Sequence, residues 1–360
     1  MPDFQIDPDI SRAQTPPARF YTDPAILEAM KRTAFARSWQ WIADADVVKT
    51  PGSVYPCNFL EGAIDEPILF TRDHQDRIHC LANVCTHRGN LLCLGAGVET
   101  SLRCRYHGRR FDLDGKFRHM PEFEGVAGFP SEADDLPRIP WALWGRFLFA
   151  SLNPASALEE MLRPMIDRIG WMPLHEFQPD PTRQRDYVFR ANWALYIDNY
   201  LEGFHIPYIH AALNQQLDYE NYLVELLPHG VLQVGTAEAD AEAFDLPPSS
   251  PDAGRRIAAY YYWFFPNLMF NFYPWGLSIN VVRPLAVDRT RVTFLPYVWK
   301  PDRIDRGAGA ALDRVEREDE AVVEATHRGL QSGFYRRGRY SVKRENGVHH
   351  FHRLAVQCLR

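Results

Sequence analysis

Val84-Cys85-Thr86-His87-Arg88-Gly89, followed after sixteen residues beyond His87 by Cys104-Arg105-Tyr106-His107-Gly108-Arg109, decides how this chain is read. Each half offers one thiolate and one neutral imidazole, so the two halves together supply four metal ligands. Two metals accept that set. Zinc binds two cysteines and two histidines in structural sites, whereas a Rieske [2Fe–2S] centre places two cysteines on one iron and two histidines on the other. Zinc fingers pair Cys with Cys and His with His along the chain. Here each loop carries one of each, which favours the cluster. Gly89 and Gly108 let backbone N–H groups approach the sulfur atoms. Cys57, Cys80, Cys93 and Cys358, with His79 and His119, lack matched partners and read as structural residues.

Outward from these loops, from Val47 to Phe149, the chain consists of short apolar runs broken by turn residues. Asp114-Gly115, between Phe111-Asp112-Leu113 and Lys116-Phe117, signals a hairpin, and the region reads as a small all-β domain. Upstream, Ile26, Leu27, Met30, Ala34 and Phe35 recur at helical spacing, and Asp23-Pro24 makes a cap and first turn. A helix is therefore expected from Pro24 to Trp41. Downstream, residues 153–181 read as a linker with a helix. A larger α+β region follows, ending in a long helix from about Gly309 to Gln331. The expected fold class is α+β, in three segments: 1–41 helical and packed on the second domain, 42–150 the metal-binding β domain, 151–360 the second domain.

That second domain carries another ligand set. In Glu202-Gly203-Phe204-His205-Ile206-Pro207-Tyr208-Ile209-His210 the histidines stand five apart, about 140° around an ideal helix. Pro207 is expected to end or kink the helix after His205 and let His210 swing back. On the long helix, Asp319 falls on the apolar stripe Leu312, Val315, Val322, Val323, Thr326, Leu330. A lone carboxylate facing a core is costly unless paired or bound to metal. Glu316, Glu318 and Glu320 fall mostly off that stripe and read as a solvated face. Two histidines and one carboxylate form the facial triad of non-haem Fe(II) oxygenases. Pairing of Asp319 with an arginine is the plain alternative.

The motifs Cys85-Thr86-His87-Arg88-Gly89 and Cys104-Arg105-Tyr106-His107-Gly108, followed by Phe111-Asp112-Leu113-Asp114-Gly115, resemble those of Rieske non-haem iron oxygenase α subunits of the ring-hydroxylating superfamily. Arg109 departs from the Trp that this family commonly has there. The resemblance implies a Rieske β domain joined to a helix-grip α+β catalytic domain, assembled as a homotrimer. It implies that Cys85, His87, Cys104 and His107 hold the [2Fe–2S] cluster, and that His205, His210 and Asp319 hold a mononuclear Fe(II). Glu202 matches the carboxylate that links this iron to the cluster of a neighbouring subunit. Glu rather than Asp there resembles the quaternary-amine branch, the carnitine, choline and glycine-betaine monooxygenases. The implied activity is hydroxylation of a small organic substrate with O2, leaning to a quaternary amine or N-methyl compound. Aromatic ring hydroxylation or O-demethylation by the same centres, and electron transfer without oxygenase activity, are the rival readings.

The rest of the sequence narrows the classes. With 40 Lys+Arg against 46 Asp+Glu and a formal net charge of −6, no basic stripe suits nucleic acid. No run of about 18 apolar residues suits a membrane span. The first ten residues, acidic and Pro-containing, do not read as a signal peptide, so a cytoplasmic protein with reduced thiols is expected. No G-x-G-x-x-G after a strand, P-loop or G-x-S-x-G is present. Electrons are therefore expected from a separate reductase, which the family resemblance implies is an NAD(P)H-dependent flavin and iron–sulfur protein. The aromatic stretch Tyr260–Trp275 fits either an aromatic or a cationic substrate, and most of its rings are expected to pack in the core.

Overall fold

The computed structural model describes residues 4–360. The chain clusters into two compact units: one runs Ala36–Ala155, and the other joins the chain up to Phe35 to Ser156–Arg360. The helix expected over Pro24–Trp41 stops at Thr33. Asp23 caps it as the sequence suggests, accepting from Ala25 N at 2.9 Å. Beyond one 3-10 turn at Phe35–Arg37, Gln40–Asp44 is a strand paired antiparallel with Phe147–Ala150. Pairing of backbone groups along that sheet outweighs the local helical spacing. It also explains why the units divide at 35/36 and 155/156, where the sequence suggested 41/42 and 150/151.

Within Ala36–Ala155 there are three small sheets of three, four and three strands. The four-stranded one runs Ile78–Ala82, Glu66–Arg72, Ser53–Phe59, Gly97–Val98. The hairpin read from Asp114-Gly115 is present: Asp112 N donates to Lys116 O at 2.8 Å, and Gly115 has φ +87°. The core of Val54, Leu69, Leu81, Leu102, Phe111 and Leu113 includes both Cys85 and Cys104. The two ligand-bearing loops are thus rooted in a packed interior.

The other unit is built on an eight-stranded antiparallel sheet. Its main path leads from Leu223–Leu227 through Gly230–Thr236, Ile257–Phe264, Leu268–Tyr273 and Gly276–Ala286 to Arg289–Val298. The period of two along these strands sorts the aromatic stretch. Tyr262, Phe264 and Phe272 share one packed face, with Tyr262 stacked on Phe264, while Tyr261, Asn271 and Tyr273 line a cavity on the other. Helix Trp193–Tyr200 packs against helix Leu312–Leu330. Trp193 is buried between Phe35 (4.8 Å) and Phe351 (5.7 Å), tying the N-terminal segment and helix Asn346–Cys358 to this unit.

Gly276 opens the strand Gly276–Ala286 at φ +153°, and a Cβ there would sit 2.1 Å from the backbone oxygen of Tyr297. The neighbouring atoms are backbone and hold the sheet ladder, so they cannot yield cheaply. Gly276→Ala is expected to destabilise the protein by about 1–3 kcal/mol, read as a lower denaturation midpoint at unchanged slope.

Candidate metal centres

The two Cys/His loops have matched backbones. Cys85 N donates to Asn90 O and Cys104 N to Arg109 O, both at 2.8 Å. Gly89 N donates to Cys85 O and Gly108 N to Cys104 O, both at 3.0 Å. Gly89 (φ +72°) and Gly108 (φ +75°) occupy the left-handed region that the tight return requires. The loops bring Cys85 and Cys104 into one packed cluster and set the His87 and His107 rings 4.7 Å apart. His107 Nδ1 is buried without a partner. Two thiols together, two imidazoles together and an orphaned ring nitrogen fit a [2Fe–2S] cluster bound by Cys2His2. The other cysteines differ: burial pushes the thiols of Cys57 up to about 12 and of Cys93 up to about 11, and Cys80 is fully enclosed.

Arg109 is only 2% exposed. Its guanidinium lies over Phe111, Phe117 and Phe129 at 5.6, 4.8 and 5.6 Å. It donates to the Asp134 carboxylate at 2.6 Å and to the Asp134 backbone oxygen at 3.1 Å. Thr86, between Cys85 and His87, donates to that same oxygen at 2.8 Å. Asp134 therefore straps both ligand loops together.

In the other unit, helix Trp193–Tyr200 begins at Asn192, whose side chain accepts from Ala194 N, and is already closed at Leu201. Pro207 does not end this helix, as the sequence suggested. It stands in the first turn of a separate short helix, Ile206–Ile209, where proline's missing N–H costs nothing. His205 and His210 flank that helix as its caps, so their rings approach to 5.0 Å. Asp319 Oδ1 lies 3.0 Å from His210 Nε2 and 3.5 Å from His205 Nε2. One ligand atom from each of the three falls within 4.8 Å of the others. Donor atoms bound to one metal at about 2.1 Å stand about 3 Å apart, so the set fits a single ion.

Each histidine also has a carboxylate behind its other nitrogen. Glu202 Oε1 lies 2.7 Å from His205 Nδ1, and Glu318 Oε2 lies 2.8 Å from His210 Nδ1. This fixes both rings with Nε2 towards Asp319. Burial disfavours charge on His210, yet the Asp319 and Glu318 carboxylates outweigh it and hold the imidazole above its ordinary pKa. Asn199 Nδ2 donates to Asp319 Oδ1 at 2.6 Å.

The helix Leu312–Leu330 corrects one expectation. Its buried positions are Glu316, Val323, His327 and Leu330, while Thr326 is exposed. The buried stripe is rotated from the one the apolar residues suggested, because polar groups with partners occupy part of it. Glu316 is buried, Glu320 half-buried and Glu318 engaged with His210, so they are not a solvated face. Glu316, Glu318 and Asn199 were missed as site residues. Only the position of Glu318, adjacent to a candidate ligand, hinted at a role. Glu318→Ala is expected to weaken iron binding about 10–100-fold, measured by titrating iron into apo protein, with the cluster's absorption unchanged.

Asp319, His205 and His210 lie at the wall of a cavity of about 110 Å³. Tyr196, Tyr200, Tyr222, Tyr261, Tyr273 and Phe294 supply its rings. A cavity of about 150 Å³ accepts benzene, so this one suits a compact molecule. No described helix is long and apolar enough to cross a membrane.

Residues 38–130 match the Rieske [2Fe-2S] domain, and residues 177–360 match the ring hydroxylating alpha subunit (catalytic domain). Choline monooxygenase of Beta vulgaris is 30% identical over 97% of this chain and 78% of its own length. The carnitine monooxygenase oxygenase subunit of Escherichia coli strain K12 is 27% identical, covering 100% and 98%. A quaternary ammonium Rieske monooxygenase crystallised with L-carnitine shares the fold, with a TM-score of 0.75 at 23% identity, covering 98% and 97% of the two chains. This chain belongs to the family of Rieske-type ring-hydroxylating oxygenase α subunits, enzymes with a [2Fe–2S] cluster and a mononuclear iron that use O2 and draw electrons from a separate reductase.

Proposed function

We propose that this chain is the terminal oxygenase that hydroxylates a small quaternary or N-methylated amine at a carbon next to nitrogen. Cys85 and Cys104 hold one iron of the cluster, and His87 and His107 the other. His205, His210 and Asp319 hold the mononuclear iron, which when bound supplies the activation of dioxygen. Glu202, hydrogen-bonded to the Nδ1 and backbone N–H of His205, is the catalytic carboxylate that links this site to the cluster of a neighbouring subunit in a homotrimer. The domains follow the compact units, with the N-terminal helix serving the catalytic one. The enzyme works in the cytoplasm with an NAD(P)H-dependent flavin and iron–sulfur reductase.

The observation that carries this reading is the convergence of two histidines and Asp319 on a small cavity walled by aromatic rings. Cationic head groups are attracted to such faces, by about 0.5–2 kcal/mol each. Similarity across almost the whole chain to enzymes named for choline and carnitine supports it. The protein's part is to seat the amine over the His205–His210–Asp319 face and to keep water from it. One oxygen atom enters the C–H bond and the other leaves as water, with the electron pair supplied by the reductase. The resulting N–C–OH carbon collapses to amine and aldehyde. A screen of amines and aromatic acids with a coupled reductase tests this. Oxygen uptake matched by aldehyde release on an ammonium substrate is expected, and a cis-diol from an aromatic ring without aldehyde would overturn it.

A further inference from the structure

The cavity beside His205, His210 and Asp319 is charged on one side only. Glu202, Glu316 and Asp319 line it, and among the described residues no lysine or arginine does. Two of these carboxylates have other work, since Glu202 is bonded to His205 and Asp319 to His210 and Asn199. Glu316 has none of that kind. It is 4% exposed, its Oε2 accepts from the Tyr196 hydroxyl at 2.9 Å, and its Oε1 is buried without any partner. An unpaired carboxylate oxygen in a dry site is costly, and its cost is relieved only by a donor or a cation. A second wall group repeats the pattern. Gln233, 1% exposed, donates its Nε2 to the Tyr200 carbonyl at 2.6 Å and leaves Oε1 buried and unpartnered. The unsatisfied groups at this cavity's wall are thus both acceptors. A carboxylate-bearing substrate would find hydroxyl and amide donors there but no guanidinium or ammonium to pair with its anion.

Resting on the amine-oxygenase reading above, we propose that Glu316 is the counter-charge for the substrate's head group, selecting a small alkylammonium cation that carries no carboxylate, with Gln233 accepting from its polar end. Tyr200, Tyr261 and Tyr273 present rings to the same cavity, so the cation meets both π faces and the Glu316 carboxyl. Burial first, and the Asp319 carboxylate next, hold the Glu316 carboxyl well above its ordinary range. An arriving cation is the partner that favours its ionised form. Glu316 is a specificity-determining residue, distinct from the residues proposed to hold iron.

The test is direct binding to the holoenzyme of choline and of its neutral carbon isostere, 3,3-dimethylbutan-1-ol, followed by calorimetry. The wild type should bind choline at least about tenfold more tightly than the isostere, as a charge-assisted contact implies. Glu316→Gln should bring that ratio close to one while leaving the isostere's affinity, the iron content and the cluster absorption as they were. Glu316→Asp should restore part of the ratio, which a merely structural glutamate would not do, and it serves also if the glutamine variant fails to fold. Betaines bearing a carboxylate should bind more weakly than choline to the wild type. A ratio that survives Glu316→Gln, or equal loss of both ligands, overturns the proposal. If the wild type oxidises an ammonium compound while the ratio survives, only the role of Glu316 fails. If the wild type binds no ammonium compound, the amine reading fails with it.

Discussion

Asp319→Ala should reduce turnover by at least about 100-fold while the visible absorption of the [2Fe–2S] cluster stays intact. The lower bound comes from outer partners of metal ligands, whose loss already costs about 10–100-fold, and Asp319 is proposed as a ligand itself. The geometry explains why the loss should be confined to the mononuclear site. Asp319 Oδ1 meets both His205 and His210 through their Nε2 atoms and receives the Asn199 amide. None of these residues belongs to the Ala36–Ala155 unit that carries Cys85, His87, Cys104 and His107. Without the Asp319 carboxylate, the set of three donor atoms is reduced to two imidazole nitrogens, with no carboxylate oxygen among them. Iron content measured beside cluster absorption makes the result decisive: iron at the second site should drop and the cluster's absorption should not. Turnover that survives the change would remove Asp319 from the ligand set and reopen the reading of this chain as an electron carrier.

Legibility in the sequence followed the physics of each feature. The Cys/His loops could be read because metal chemistry demands those residue types at short spacing, and the loops are local. Asp319 could be singled out as a candidate because a carboxylate among apolar residues at helical spacing is anomalous in itself. The surroundings of these residues were not legible. Glu316 looked like one of several acids on a charged helix, and only the meeting of helix Leu312–Leu330 with Tyr196 across 120 positions shows it buried. Asn199 and Glu318 likewise act through contacts 120 and 108 residues away. No periodicity encodes such distances. The end of the expected helix, at Gln40 and Trp41, failed for the opposite reason. The helical spacing before it suggests that the helix continues, but pairing with Phe147–Ala150 takes these residues into a sheet. Tertiary hydrogen bonding overrode local propensity there. The aromatic run from Tyr260 sat between these cases: a period of two separates packed rings from cavity rings, but only once the strand assignment is known.

Arg109→Ala should lower stability by about 3–5 kcal/mol, the usual cost of removing one partner of a buried ion pair, and should yield protein with less cluster per chain. At 2% exposure Arg109 pairs with Asp134, which keeps 19% of its side-chain surface. Its guanidinium also fills the space between Phe111, Phe117 and Phe129. Deletion therefore leaves both a void among rings and a carboxylate without its cation. Burial raises the pKa of Asp134, but its bonds to Arg109 and Ser131 outweigh that and hold the carboxyl below its ordinary range. Arg109→Trp separates the two contributions. An indole can occupy the ring-lined space and recover packing, but it cannot hold the Asp134 carboxylate. The tryptophan variant should then cost less than the alanine variant by the packing it recovers, while still showing the cost of the unpaired Asp134 carboxylate. The strap from Asp134 to Thr86 survives both changes through the backbone oxygen, whereas its hold on the His107 loop does not. Loss of cluster should therefore follow the loss of the Arg109–Asp134 pair rather than the loss of volume. Asp134→Asn in the Arg109→Ala background checks this: a coupling energy of at least about 1 kcal/mol between the two sites is expected. If the double variant is simply additive, Arg109 acts as filler and the strap does not depend on its charge.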